Sequence, residues 1–102
     1  MLRSQDLRQK IKIADQTLEM MRSPGWQNFL DELVHPMGER AFKDWKKTPA
    51  EKSWEVIELQ MMGKFADIIE AYPNQLTKNL EKWMNELKLI LEGEEEDTAI
   101  PD

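Results

Sequence analysis

The sequence predicts an all-α protein of three to four amphipathic helices, arranged as a helical bundle or as a helical hairpin with an extra N-terminal helix. Three observations predict it. Apolar residues recur at helical spacing through four segments, proline and glycine punctuate the joins, and no useful stretch alternates with the period of two that marks a strand. At 102 residues, 40% hydrophobic and 33% charged, the chain suits one domain with a wet surface. We expect that single helical domain over residues 1–93, with helices at about 4–22, 24–46, 49–72 and 74–92, and a disordered acidic tail over 94–102.

The first helix places Leu7, Ile11, Ala14, Leu18 and Met21 at 4-3-4-3 spacing, the a/d pattern of a coiled-coil seam, with Ile13 and Met20 widening the face. Ser23-Pro24-Gly25-Trp26 stops it and opens the second, with Ser23 as N-cap and Pro24 at the first helical position. Trp26, Phe29, Leu30, Leu33, Val34 and Met37 then form a broad stripe. Pro36 removes one donor and crowds the carbonyl of Glu32, so the second helix should be kinked at Pro36 and continue through Ala41, Phe42 and Trp45.

Thr48-Pro49-Ala50-Glu51 reads as a capping box with proline at the first helical position and predicts the start of the third helix. Trp54, Ile57, Met61, Phe65, Ile68 and Tyr72 line one stripe of it, flanked by Val56, Met62 and Ile69. Gly63 costs about 1 kcal/mol against alanine there, and reads either as a place for close approach of a neighbouring helix or as drift with no role. Tyr72-Pro73 should end the helix, because the residue before proline is pushed out of the helical region. The fourth helix repeats the 4-3-4-3 seam with Leu76, Leu80, Trp83, Leu87 and Ile90, beside Met84 and Leu91, and Gly93 fits the position just past its end. The run Glu94-Glu95-Glu96-Asp97 and the residues after it have too little apolar surface to fold.

Charge and composition exclude several function classes. Fourteen Lys and Arg against 20 Asp and Glu give a net charge of -6, against a general nucleic-acid-coating role. The absence of cysteine excludes a disulfide scaffold, a thiol nucleophile and a Cys-ligated zinc, and the one histidine excludes a multi-histidine metal site. His35, among Val34, Pro36 and Met37, reads as a structural or surface residue. The pairs Asp31/Glu32 and Glu55/Glu58 read as solvated helix faces, and the glutamate run lacks the ligand spacing and turn glycine of a calcium loop. No glycine loop for phosphate is present, no run reaches the ~18 apolar residues of a membrane span, and no signal peptide is expected. We expect no enzyme, no cofactor and no metal.

The four tryptophans, Trp26, Trp45, Trp54 and Trp83, lie at or near apolar-stripe positions, and core packing is expected for most of them. Four tryptophans and seven methionines are nevertheless a heavy load for a small core, and both residue types favour interfaces. Residues 1–22 carry five basic and three acidic side chains, residues 73–102 three and eight, so the two ends can attract within or between subunits. Three readings of the first helix stay open: a fourth helix of a bundle, a pairing surface for another subunit, or a membrane-surface or nucleic-acid-backbone contact through Arg3, Arg8, Lys10 and Lys12.

The run Ser23-Pro24-Gly25-Trp26, the Thr48-Pro49-Ala50-Glu51 restart, Leu59-Gln60-Met61-Met62-Gly63-Lys64, Ile68-Ile69 and Tyr72-Pro73 together resemble small helical proteins encoded by tailed bacteriophages, often among their structural or packaging genes. In those proteins a Pro-Gly-Trp stands near the start of a long helix, and a proline closes a later apolar run. The resemblance covers residues 22–76 and implies a setting more than an activity. The expectation is a non-enzymatic helical interaction protein, self-associating or docking on a virion or packaging assembly. Its partners would be proteins, in a homo-oligomer or larger assembly, in the host cytoplasm or on the virion, with nucleic acid not expected. The candidate contact stripes are Leu7, Ile11, Leu18 and Met21, and Leu80, Trp83, Leu87 and Ile90. The alternative is an acidic inhibitor of a host enzyme, for example at a basic nucleic-acid groove, acting through Glu94, Glu95, Glu96 and Asp97.

Overall fold

In the computed structural model, which describes residues 1–101, helix α1 (Arg3–Met21) is followed by α2 (Pro24–Phe29), a π-helical turn (Leu30–Val34), α3 (His35–Lys47) and α4 (Ser53–Leu91). Helix accounts for 81% of the described residues, with no strand among them. The all-α class predicted from apolar periodicity is the class observed. The sequence predicts one domain, and the packing resolves two compact units: Met1–Met20 with the chain from Asn74 onward, and Met21–Pro73.

In the first unit, α1 and the C-terminal part of α4 run antiparallel. Arg3 pairs with Glu86 at 2.7 Å, the Lys10 ammonium sits 5.9 Å from the Trp83 ring centre, and Ala14 and Leu18 pack on Leu76 with Leu80 and Trp83 alongside. The two 4-3-4-3 seams therefore meet inside the chain. Leu7, Ala14, Leu18, Leu76 and Ile90 are its buried residues. Gly93 ends α4 with φ +76°, as its position predicts. Its N–H donates to the carbonyl of Ile90 and that of Glu94 to the carbonyl of Leu89, the paired bonds of a Schellman cap.

The tail corrects the expectation of disorder for residues 94–101, residue 102 lying outside the described residues. The N–H of Arg3 donates to the carbonyl of Thr98 at 2.8 Å, that of Ile100 to the carbonyl of Met1 at 2.8 Å, and Leu2 and Ala99 form an isolated antiparallel bridge. Composition missed a local need. The first N–H groups of a helix lack acceptors, and α1 opens after Met1 and Leu2, neither of which has a capping side chain.

In the second unit, Val34 is fully buried and forms a cluster with Leu30 and Ala66, against which Trp26, Met37 and Ile69 pack. Gly38 sets the closeness of α3 and α4: a methyl group there would lie 3.1 Å from the Ala66 Cβ. Gly63 does not have that role, since a methyl group at 63 would meet nothing within 4 Å. Gly63→Ala is therefore expected to stabilise the protein by about 1 kcal/mol through helix propensity. A thermal melt should show the midpoint rising by roughly 4–8 °C.

The distortion expected at Pro36 is met in part, and two boundaries depart from the sequence reading. At Pro36, where a kink is expected, α2 continues into α3 through the π-helical turn, and the N–H of His35 reaches the carbonyl of Leu30. The widened turn lies just before the proline, where the α-helical donor to Glu32 is missing. The third helix begins at Ser53, not 49. The Thr48 hydroxyl donates to the carbonyl of Asp44 at 2.7 Å and its N–H to that of Trp45, so Thr48 finishes α3 while Pro49 to Lys52 form a turn. Finally, α4 runs through Pro73 without ending, so the separate helices at 49–72 and 74–92 are one. Ile69 packs before the proline and Leu76 after it, and that burial outweighs one lost backbone bond.

Candidate protein-docking face

Helix α4 carries two apolar faces between Ser53 and Pro73. One contains Leu59, Gly63, Ala66 and Ile69, all buried or half-buried. It takes the α3 side because Gly38 and buried Ala41 offer little bulk there, which lets the backbones approach. The other face carries the larger side chains, Trp54, Ile57, Met61, Phe65, Ile68 and Tyr72, and every one of them is exposed, from 44% at Tyr72 to 78% at Trp54. The sequence picks out this stripe correctly as apolar, but in the second unit nothing covers it.

The expectation of core packing for the tryptophans is corrected for two of them. Trp26 and Trp83 are half-buried, while Trp54 and Trp45 are exposed. Trp45 stacks obliquely with exposed Phe42 at 6.1 Å between ring centres, and the Lys46 ammonium lies 4.4 Å from the Phe42 centre. These rings border an open groove with Leu59, Gly63 and Lys64.

Of the two candidate contact stripes, Leu7, Leu18 and Ile90 are buried within the first unit, and Ile11, Met21, Leu80, Trp83 and Leu87 are half-buried. Their apolar surface is largely used inside one chain. Outward on this unit are a shallow apolar groove of Ile11, Met84, Leu87 and Leu91, with Met84 and Leu91 exposed, and the exposed side chains of Ile13 and Met20.

The candidate inhibitory tail divides. Glu94, Glu95 and Glu96 are exposed, whereas Asp97 accepts the Ser4 N–H at 2.9 Å on Oδ1 and the Ser4 hydroxyl at 2.6 Å on Oδ2. It supplies α1 with the anionic cap that Met1 and Leu2 cannot. The hydroxyl bond first, then the backbone bond, hold its carboxyl below the usual 3.8. A carboxyl depressed by folding contributes stability above its unfolded pKa and loses it as pH falls through the folded value. Amide exchange at Arg3 and Ile100 is therefore expected to stay slow down to about pH 3.8 and to accelerate below it. Asp97→Ala should show fast exchange at every pH.

His35 lies between two carboxylates, with Nε2 3.1 Å from Glu70 Oε1 and Nδ1 3.4 Å from Asp31 Oδ1. The Glu70 contact ties α3 to α4, and the groove beside the ring is lined by Val34, Gly38, Glu39, Phe42, Ala66 and Asp67. Among the described residues, no group of three or more His, Asp or Glu side chains is placed to hold a metal ion, and no helix is long and apolar enough to cross a membrane. Comparison with protein families, with curated proteins and with solved structures returns no match.

Proposed function

We propose that the chain is a non-enzymatic helical interaction module that docks a protein partner on the face of α4 from Trp54 to Tyr72. The observation that supports it is the stripe itself: six large apolar side chains in helical register, all exposed. Large aromatic side chains bring roughly 150–250 Å² each. With the six a little over half exposed on average, the face offers roughly 600 Å², the upper end of what monomers leave open and a size that is often functional. A tryptophan and a tyrosine at its ends are the residue types that anchor interfaces. The phage resemblance adds a virion or packaging assembly as the setting for such a face. The inhibitor reading has less support, because Asp97 is engaged by Ser4 and only the three glutamates before it are free of that cap.

The test places a photocrosslinking residue at Ile57 in one preparation and at Lys47 in another, in the cell that produces the protein. A protein adduct formed from position 57, lost on Met61→Asp with Ile68→Asp, and absent from position 47, is the expected result. No adduct from 57, or equal adducts from both positions, would overturn the reading.

A further inference from the structure

We infer that the occupant of this face is a second copy of the chain, its α4 antiparallel to the first across a two-fold axis near residue 63. The inference rests on the docking reading above and supplies its partner. A two-fold interface must be self-complementary, so that a residue contacting another is contacted by it in return. The stripe has that property. Read from either end about residue 63, Trp54 matches Tyr72, Ile57 matches Ile68, and Met61 matches Phe65.

The 3-4-4-3-4 spacing also keeps step with an ideal α-helix and not with the 3.5-residue repeat of a left-handed coiled coil. The face therefore stays in line along a straight helix. None of its six positions carries a charge, and exposed Glu58 flanks them at the edge of the stripe, where its carboxylate can stay in water. Area is the third argument. Two faces of roughly 600 Å² bury roughly 1,200 Å², which meets the lower bound for a specific interface. Antiparallel helices also set their dipoles favourably.

Light scattering across a concentration series should give twice the 12.1 kDa chain mass, and the Met61→Asp/Ile68→Asp variant should give half of that with unchanged helical circular dichroism. Both positions are exposed, so the variant has no core to break. A wild-type monomer throughout, or a variant that remains dimeric, overturns self-pairing. The chain has no cysteine, which makes single-cysteine variants clean reporters of register. Trp54 and Tyr72 lie about 27 Å apart along α4, beyond the Cα separation of roughly 7 Å that a disulfide spans. A mixture of Trp54→Cys and Tyr72→Cys chains is expected to cross-link, and each alone is not. Self-linking of Trp54→Cys alone overturns the antiparallel register. The two readings fail separately: an Ile57 photoadduct to a different protein, with a monomeric wild type, leaves docking standing and removes self-pairing.

Discussion

A chain carrying Ile11→Asp and Leu18→Asp is expected to lose the fold of its first unit, not merely a partner. Leu18 is 7% exposed and packs with Ala14 on Leu76. Truncating a buried leucine costs about 2–5 kcal/mol, and an unpaired carboxylate at the same place adds several more. Against a total stability of roughly 5–15 kcal/mol, that is enough to release α1 from α4. Circular dichroism should show lost helix, and amide exchange should rise at Leu7, Ala14 and Leu76 while Val34 and Ala66 stay protected. Retained helicity with a changed mass would instead make the seam an intersubunit surface. The same aspartate chemistry at Met61 and Ile68 is expected to leave the helix content untouched. The two double variants thus separate core from docking face.

That contrast also marks what the sequence could and could not convey. Periodicity reports which face of a helix is apolar, and it found both seams and the Trp54–Tyr72 stripe. It does not report what covers each face. The seams at Leu7–Met21 and Leu76–Ile90 look like intersubunit surfaces when read one helix at a time. They become a core only once α1 is seen against α4. On the first half of α4 the bulkier stripe is the more apolar one, yet shape puts the other face against α3, because Gly38 fits against Ala66. The sequence offers Gly63 as the glycine of a close approach, but that role falls to Gly38, whose small size is legible only once α3 lies against α4. The Asp97 cap had a legible signal: a helix that opens after Met1 and Leu2 must find its acceptor elsewhere. Local signals were weakest at the boundaries. Thr48-Pro49-Ala50-Glu51 has the composition of a capping box, but the Thr48 hydroxyl was taken by Asp44 behind it. Tyr72-Pro73 has the composition of a helix end, but long-range packing overrode it.

Pro73→Ala tests that override and is expected to be the largest single stabilisation available in the chain. Proline inside a helix costs about 3 kcal/mol, since it cannot donate to the carbonyl four residues earlier, here Ile69, and its ring crowds that carbonyl. Replacing it also frees the unfolded chain, which gives back roughly 0.4–1 kcal/mol of the gain. The balance is a stabilisation of about 2 kcal/mol, readable as a higher urea midpoint at unchanged slope, with slower amide exchange from Ile69 to Thr77. Loss of stability would mean that contacts of the half-buried proline ring contribute more than the missing bond. The variant also bears on the docking face. Trp54 to Tyr72 lie before the substitution and their exposure does not depend on it, so Pro73→Ala should keep the wild-type mass. A stability gain of that size with no change in assembly would show that the helix and the surface it presents are set by different residues: the first by Ala66, Ile69 and Leu76, the second by the stripe that none of them covers.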